Sequence, residues 1–343
     1  MPVAKLASIL ALLFRSGSVG LVWPRLTTRR EELGALALAM ESAYRTQVDH
    51  NRDAELKVSE AVRRLRRVGI EPVLVKGWAI SRLYPEPIVR SAGDIDLWVS
   101  AGDLAAAEAA LSQDGDPLGA SVDLQYRKPH MPWSWLDATQ DALASANEII
   151  DIGGVAVRTP RQDDHLRMVC LHFLSHGARR PLWLCDAALL METRGSEWEW
   201  ERVFGPNRTE RQWIATTLLL AHELLGADIS GTPVAAQAGT LPKWLIPAVL
   251  RRWESAEGDH QDIINRLARN PAGARNILRS LWPDPITATV RVHAPFNGFP
   301  RWPIQVAALA QRVGQFAIWW MPGRIAGFVR RVVTRLAAGQ PQA

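Results

Sequence analysis

At 343 residues the chain is long enough for two compact domains, and 48% apolar with 22% charged residues is the balance of a soluble globular protein. Its formal charge of +5 is unevenly spread: Asp284 is the last acidic residue, and the seven arginines after it leave residues 1–284 at −2. This excludes a body built as a polycation for nucleic acid. No stretch reaches the ~18 consecutive apolar residues that would mark a membrane span.

At the N-terminus, Lys5 and the apolar run from Leu6 to Phe14 superficially resemble a secretion signal. Arg15 follows directly and no A-x-A-like cleavage site appears, which argues against it. Cys170 and Cys185 lie in apolar helical stretches and are expected as free thiols, so the expected location is cytoplasmic. Residues 1–69 read as an N-terminal helical region, broken near Gly17 to Pro24, with an amphipathic run from Thr28 through Val68. Leu56, Ala61, Val62, Leu65 and Val68 recur near helical spacing, and Arg63, Arg64, Arg66 and Arg67 form a solvated face.

Residues 70–160 change to short apolar runs bounded by Gly and Pro, the pattern of a small α/β domain. Strands are predicted at 72–76, 94–99 and 121–126, helices at 77–83 and 101–112, and one or two short strands around Gly153 and Gly154. Residues 161–343 read as a C-terminal helical domain. Thr159 is a possible cap, Asp163 and Asp164 fall in the first turn, and further helices follow at 182–193, 211–225 and 243–253. The stretch 282–303 reads as loop. In the acid-free tail, Ile325, Phe328, Val329, Val332, Val333 and Leu336 follow helical spacing among arginines. The plain reading is a docked terminal helix; steering of an acceptor or nucleic acid, or a weak membrane-surface contact, are the others.

Asp94 and Asp96, two apart in a strand, share a face, and adjacent carboxylates repel unless a cation lies between them. Such a pair suits Mg²⁺, which takes oxygen ligands and shares them with phosphates. Asp123, between Val122 and Leu124, is either drawn to the same site or exposed at a strand edge. Lys76-Gly77 closes a strand ahead of a helix, and Arg90 lies in the loop before Asp94, which suggests a triphosphate held between cations and metals. His165, His172 and His176 share a helical face; the absence of a His-Glu-x-x-His pattern favours packing or a substrate-facing role over zinc. Asp186 is a candidate hydrogen-bond partner for one of them. The 15 tryptophans are scattered, as core residues would be, but Trp78 and Trp98 adjoin the proposed site.

The run VLVKGWAISRLYPEPIVRSAGDIDLWV resembles the signature of an uncharacterised bacterial nucleotidyltransferase family of the polymerase-beta-like nucleotidyltransferase superfamily. VDLQY and LRMVCLHFLSHGARRPLWLCDAALL resemble its later features, and the likeness spans roughly residues 50–225. The resemblance implies an α/β (α+β) fold, a polymerase-beta-like core with a small mixed sheet flanked by N- and C-terminal helical regions. It implies transfer of a nucleoside monophosphate from a nucleoside triphosphate, ATP being the expected donor, to an unknown acceptor: a small molecule, peptide, protein or RNA. Asp94, Asp96 and Asp123 would be catalytic and hold two Mg²⁺ ions; Lys76, Gly77 and Arg90 would bind the nucleotide. Two departures stand out. Gly77 is followed by Trp78 instead of a small residue, and position 125 is Gln where relatives often have His. Asp151 is the alternative third carboxylate. A metal-dependent glycosyltransferase with an Asp-x-Asp motif and a non-catalytic nucleotide-binding or adaptor protein of the same fold are the other readings.

Overall fold

The structure, a computed structural model, describes residues 3–84, 86, 89–91, 93–112, 118–126, 148–195, 198–255 and 282–312. Helix α1 (Val3–Ser16) is followed by short helical turns, and then by α2 (Ala35–Arg67). The amphipathic run expected from Thr28 to Val68 is therefore interrupted: Gly34, at φ 52°, breaks it with a backbone conformation that a Cβ disfavours. Leu6, Val19, Trp23 and Leu33 close a cluster against Ala37 and Met40 in the first turns of α2. Further along, Ala54, Val58, Ala61, Val62 and Leu65 follow helical spacing onto the sheet. Leu56 and Val68, expected on that face, are 68% and 51% exposed. Leu56 is two positions from both Ala54 and Val58, hence on the opposite side of the helix, and Val68 lies beyond the last turn.

The sheet contains β1 (Val73–Leu74), β2 (Ile95–Trp98), β3 (Val122–Gln125), β4 (Glu148–Ile152) and β5 (Val155–Thr159), in the order β3-β2-β1-β5-β4. It is mixed: β2 with β3 and β1 with β5 run parallel, the other neighbours antiparallel. Between β1 and β3 lie α3 (Gly77–Ser81) and α4 (Leu104–Leu111). The strands alternate as a pleated sheet must. Leu74, Ile95 and Leu97 join the core beneath α2 and α4, while Val73, Val75 and Trp98 pack on the other side against Met168. The hairpin β4–β5 turns at Gly153 and Gly154, both with positive φ, and Ser59 Oγ of α2 donates to the Ile152 carbonyl at 2.7 Å.

Met168 belongs to α5 (Gln162–Ser175), which covers the second face of the sheet and packs with α6 (Pro181–Glu192), α7 (Trp200–Phe204) and α8 (Arg208–Leu225). Helix α9 (Leu245–Glu254) follows. Thr159 is not the α5 cap: it ends β5, and Arg161 holds the N-cap position. Asp163 and Asp164 do occupy the first turn, paired with Arg161 and Arg202. Cys170 and Cys185 are both free thiols.

Residues 1–255 with 295–297 make one compact unit, so the changes of pattern near 69 and 160 are changes of secondary structure inside it. The described residues 282–294 and 298–312 belong to a second unit. In that unit the stretch read as loop holds a helix, α10 (Pro285–Arg291). Its first-turn proline is compatible with a helix start, and the Asp284 carboxylate caps it by accepting from Ile286 N and Thr287 N. The basic tail helix expected around Ile325 to Leu336 lies outside the described residues. Among the described residues, no helix is long and apolar enough to cross a membrane.

Candidate active site

The parallel register of β2 and β3 pairs Asp96 directly with Asp123. Opposed residues on neighbouring strands share a face, so the two carboxylates stand together on the side away from the Ile95 and Leu97 core. Asp94 sits immediately before β2, two residues from Asp96. Asp151 is elsewhere: β4 is the opposite edge of the sheet, and its Oδ1 accepts the Gly154 N–H at 3.2 Å within the hairpin turn. Of the two alternatives for a third carboxylate, Asp123 is the one placed beside Asp96.

Lys76 Nζ donates to Asp96 Oδ1 at 2.6 Å. Gln125 Nε2 donates to the same oxygen at 3.2 Å and also to Asp123 Oδ2. Burial raises the Asp96 carboxyl above its ordinary pKa, Lys76 opposes that, and the charges of Asp123 and Asp94 add to it. Among the described residues, no group of three or more His, Cys, Asp or Glu side chains is placed to hold a metal ion. One oxygen of Asp96 accepts from Lys76 and Gln125, and one oxygen of Asp123 accepts from Gln125. The chemistry of the donor set nevertheless suits Mg²⁺: carboxylates only, two of them adjacent, and one held partly buried next to like charge. A bound ion would compete with the Lys76 ammonium for Asp96.

Lys76 reaches Asp96 from a strained backbone. Its φ is 58°, rare for a residue with a Cβ, and it precedes α3 as the N-cap residue. The strain is held by His165 of α5, whose Nε2 accepts the Lys76 N–H at 2.9 Å. Burial, assisted by the Arg90 charge, pushes the His165 imidazole down to about 3, so it stays neutral with Nε2 able to accept. Sequence reading grouped His165 with His172 and His176, but it has this separate task.

Arg90 borders the cleft, but its guanidinium is consumed inside the protein. Nε and Nη2 bind the two carboxylate oxygens of Asp186 at 2.8 and 2.5 Å, and Nη1 donates to the Ser91 carbonyl at 3.0 Å. Tyr84 Oη donates to Asp186 as well, at 2.8 Å. Burial lowers the basicity of Arg90, and Asp186 more than offsets it. Burial, then Asp186, drive the Tyr84 phenol far above its usual range. Arg90 thus lines the cleft with its guanidinium held by Asp186 and Ser91, and the partners of Asp186 are Arg90 and Tyr84 instead of the histidine expected from sequence. Gly77 explains itself here, since a Cβ on it would come within 2.9 Å of Arg90 Nη1.

Lys76, Arg90, Asp94, Asp96, Asp123 and Asp186 line a cleft of about 380 Å³. The sheet carboxylates and Lys76-Gly77 form one wall; His172, His176, Arg179, Arg180 and Trp183 form another. The rings of His172 and His176 lie 4.4 Å apart, and both meet Trp183 edge-on at 4.5 and 5.4 Å, so these histidines pack and face the cleft at once. Of the tryptophans singled out from sequence, Trp78 is buried in the core beneath α2, and Trp98 packs on Val73, Val75 and Met168. Among the described residues, Trp183 is the tryptophan that lines the cleft. Sequence reading missed Arg179, Arg180 and Trp183; the signal was Gly177-Ala178-Arg179-Arg180-Pro181, a helix stop and restart carrying two cations.

No curated protein and no solved structure matches the chain. A family described as uncharacterised nucleotidyltransferase does, over residues 4–226, a span that runs from α1 through α8 and contains every cleft residue named above. The mixed five-stranded sheet flanked by helices, with carboxylates at its β2–β3 edge, is compatible with a nucleotidyltransferase-type core. With most of its length matched, this chain belongs to the uncharacterised nucleotidyltransferase family and is a transferase.

Proposed function

We propose that the chain transfers a nucleoside monophosphate from a nucleoside triphosphate, ATP being the first donor to test, to an acceptor hydroxyl or phosphate in a Mg²⁺-dependent reaction. The observation that carries this reading is the side-by-side pairing of Asp96 with Asp123, with Asp94 two residues away, at the wall of a polar cleft. An acceptor oxygen attacks the α-phosphorus, the bond from that phosphorus to the bridging oxygen breaks, and pyrophosphate leaves with the electron pair. Asp123, the exposed member of the pair, takes the acceptor proton. Asp94, Asp96 and Asp123 would hold two Mg²⁺ ions, which when bound supply positive charge to the attacking and leaving oxygens. Lys76 balances Asp96 before loading, and its long flexible stem lets the same ammonium turn to a phosphate oxygen afterwards. Two free thiols are compatible with a reducing compartment, and we assign the reaction to the cytoplasm.

The test is mass spectrometry of candidate small molecules, peptides, proteins and RNA incubated with ATP and Mg²⁺. Wild type is expected to add one nucleotide to an acceptor. Asp94→Asn and Asp96→Asn, which keep size and remove charge, are expected to reduce transfer by at least ~10³-fold. Near-normal turnover in either variant refutes the assignment.

A further inference from the structure

The ionised side chains of the cleft fall into an ordered pattern. Asp96 is paired with Lys76 and Asp186 with Arg90. Asp94 and Asp123 lie with Asp96 on the sheet side of the cleft, and Arg179 and Arg180 lie in the turn between α5 and α6, where both meet Trp183. A magnesium nucleotide has the complementary pattern, a dication joined to a polyanion.

The α5–α6 turn is built to present those arginines. Gly177 and Ala178 both have positive φ, 69° and 55°, and the second is a conformation that a side chain disfavours. Ala178 is held there by burial, by its N–H donating to the Phe173 carbonyl at 2.9 Å, and by its carbonyl accepting from Trp253 Nε1 of α9 at 2.8 Å. Pro181 then starts α6 at once. The guanidinium carbons of Arg179 and Arg180 lie 5.6 and 5.1 Å from the centre of the Trp183 ring, within cation–π range. A guanidinium lodged on an aromatic ring loses little further freedom when its planar fork binds phosphate. Burial first, and then the charges of His176, Lys76, Arg179 and Arg180, hold the His172 imidazole well below its ordinary pKa. The two guanidiniums therefore act on His172 in the same direction as its burial.

We infer that this wall is a polyphosphate subsite, in which Arg179 and Arg180, held on Trp183, receive the β- and γ-phosphates of the donor and then the departing pyrophosphate. The inference rests on the nucleotidyl-transfer reading and deepens it. It assigns to the α5–α6 turn the work that sequence gave to Arg90, whose charge Asp186 has already claimed. Helix α6 contributes to both ends of this arrangement, since Trp183 and Asp186 are three residues apart and share a helix face.

The test is calorimetric titration of the full chain with inorganic tripolyphosphate in the absence of metal, repeated with ATP and Mg²⁺. Wild type is expected to bind tripolyphosphate. Arg180→Ala, at an exposed position, should weaken binding by on the order of tenfold, and the pair Arg179→Ala with Arg180→Ala by more. Arg179→Lys with Arg180→Lys should recover only part of it, because the planar fork is lost. Absence of tripolyphosphate binding by wild type, or binding within about twofold of wild type in both alanine variants, overturns the subsite. If tripolyphosphate binds through these arginines while no acceptor gains a nucleotide, transfer fails and the subsite stands. If Asp94-dependent transfer occurs and ATP affinity ignores the arginine variants, the subsite fails and transfer stands.

Discussion

Asp186→Ala is expected to be among the most damaging single substitutions in the first unit. The Arg90–Asp186 pair is 4% and 2% exposed, so water does not screen it. The change removes both guanidinium contacts, at 2.8 and 2.5 Å, and the acceptor for Tyr84 Oη. It leaves a buried guanidinium without its counter-charge, a loss of about 3–5 kcal/mol against the ~5–15 kcal/mol that typically separates folded from unfolded states. Arg90→Met with Asp186→Leu removes both charges together and should recover most of this, since well-packed apolar replacements of a buried pair are often neutral or stabilising by ~1–4 kcal/mol. Urea denaturation of wild type, Arg90→Met, Asp186→Leu and the double variant gives the coupling energy. Arg90 precedes Asp94 by four residues and its carbonyl accepts from Asn51 Nδ2 at 2.8 Å. Transfer by Asp186→Ala should therefore fall even at temperatures where the protein stays folded. A loss below ~1 kcal/mol, the size of an exposed pair, would refute the premise that this ion pair anchors the approach to the carboxylates.

Acid should weaken the fold through His165. Its folded pKa of about 3 lies below the unfolded ~6.5, so the unfolded chain takes the proton first. The stabilisation is complete above pH ~6.5 and is lost as pH falls toward 3, amounting to ~2 kcal/mol by pH 5. His165→Gln, which can still accept from Lys76 N–H, should flatten that acid limb in denaturation measured across pH; identical limbs would refute it. Asp123→Asn should reduce transfer by at least ~10²-fold and Asp151→Asn by less than ~2-fold, because only Asp123 adjoins Asp96; the reverse order in a rate assay would move the third carboxylate to the hairpin. Lys76→Ala should raise the Kd for ATP with Mg²⁺ by on the order of tenfold, and an unchanged Kd by titration would confine Lys76 to its pairing with Asp96.

Some of this was legible residue by residue. The alternation in Ile95-Asp96-Leu97 put Asp94 and Asp96 on one face and the apolar residues on the other, which is a property of the extended backbone itself. Short strands were expected around Gly153 and Gly154, and the positive φ of both glycines turns those strands into a hairpin. The run from Val73 to Val99 carried the family resemblance that the match over 4–226 confirmed. Helix existence in the body was likewise visible in the 3.6-residue period, although Gly34 and the Asp284 cap on α10 were read less well.

Other features depended on which elements meet. Asp123 and Asp151 are both acidic residues in short strands, and only the order β3-β2-β1-β5-β4 distinguishes a neighbour of Asp96 from a residue on the far edge. Arg90 looked available in sequence because its partner is 96 residues away, on a helix that the fold brings against the loop. Trp78 adjoined the site in sequence and was buried in the core by the turn at Lys76 and Gly77, while Trp183 was brought to the cleft by the turn at Gly177 and Ala178. The physical reason is that periodicity and turn chemistry are written in covalent geometry over a few residues. The charge state and partner of a side chain are set instead by burial against distant elements, where the low local dielectric makes each neighbouring charge count.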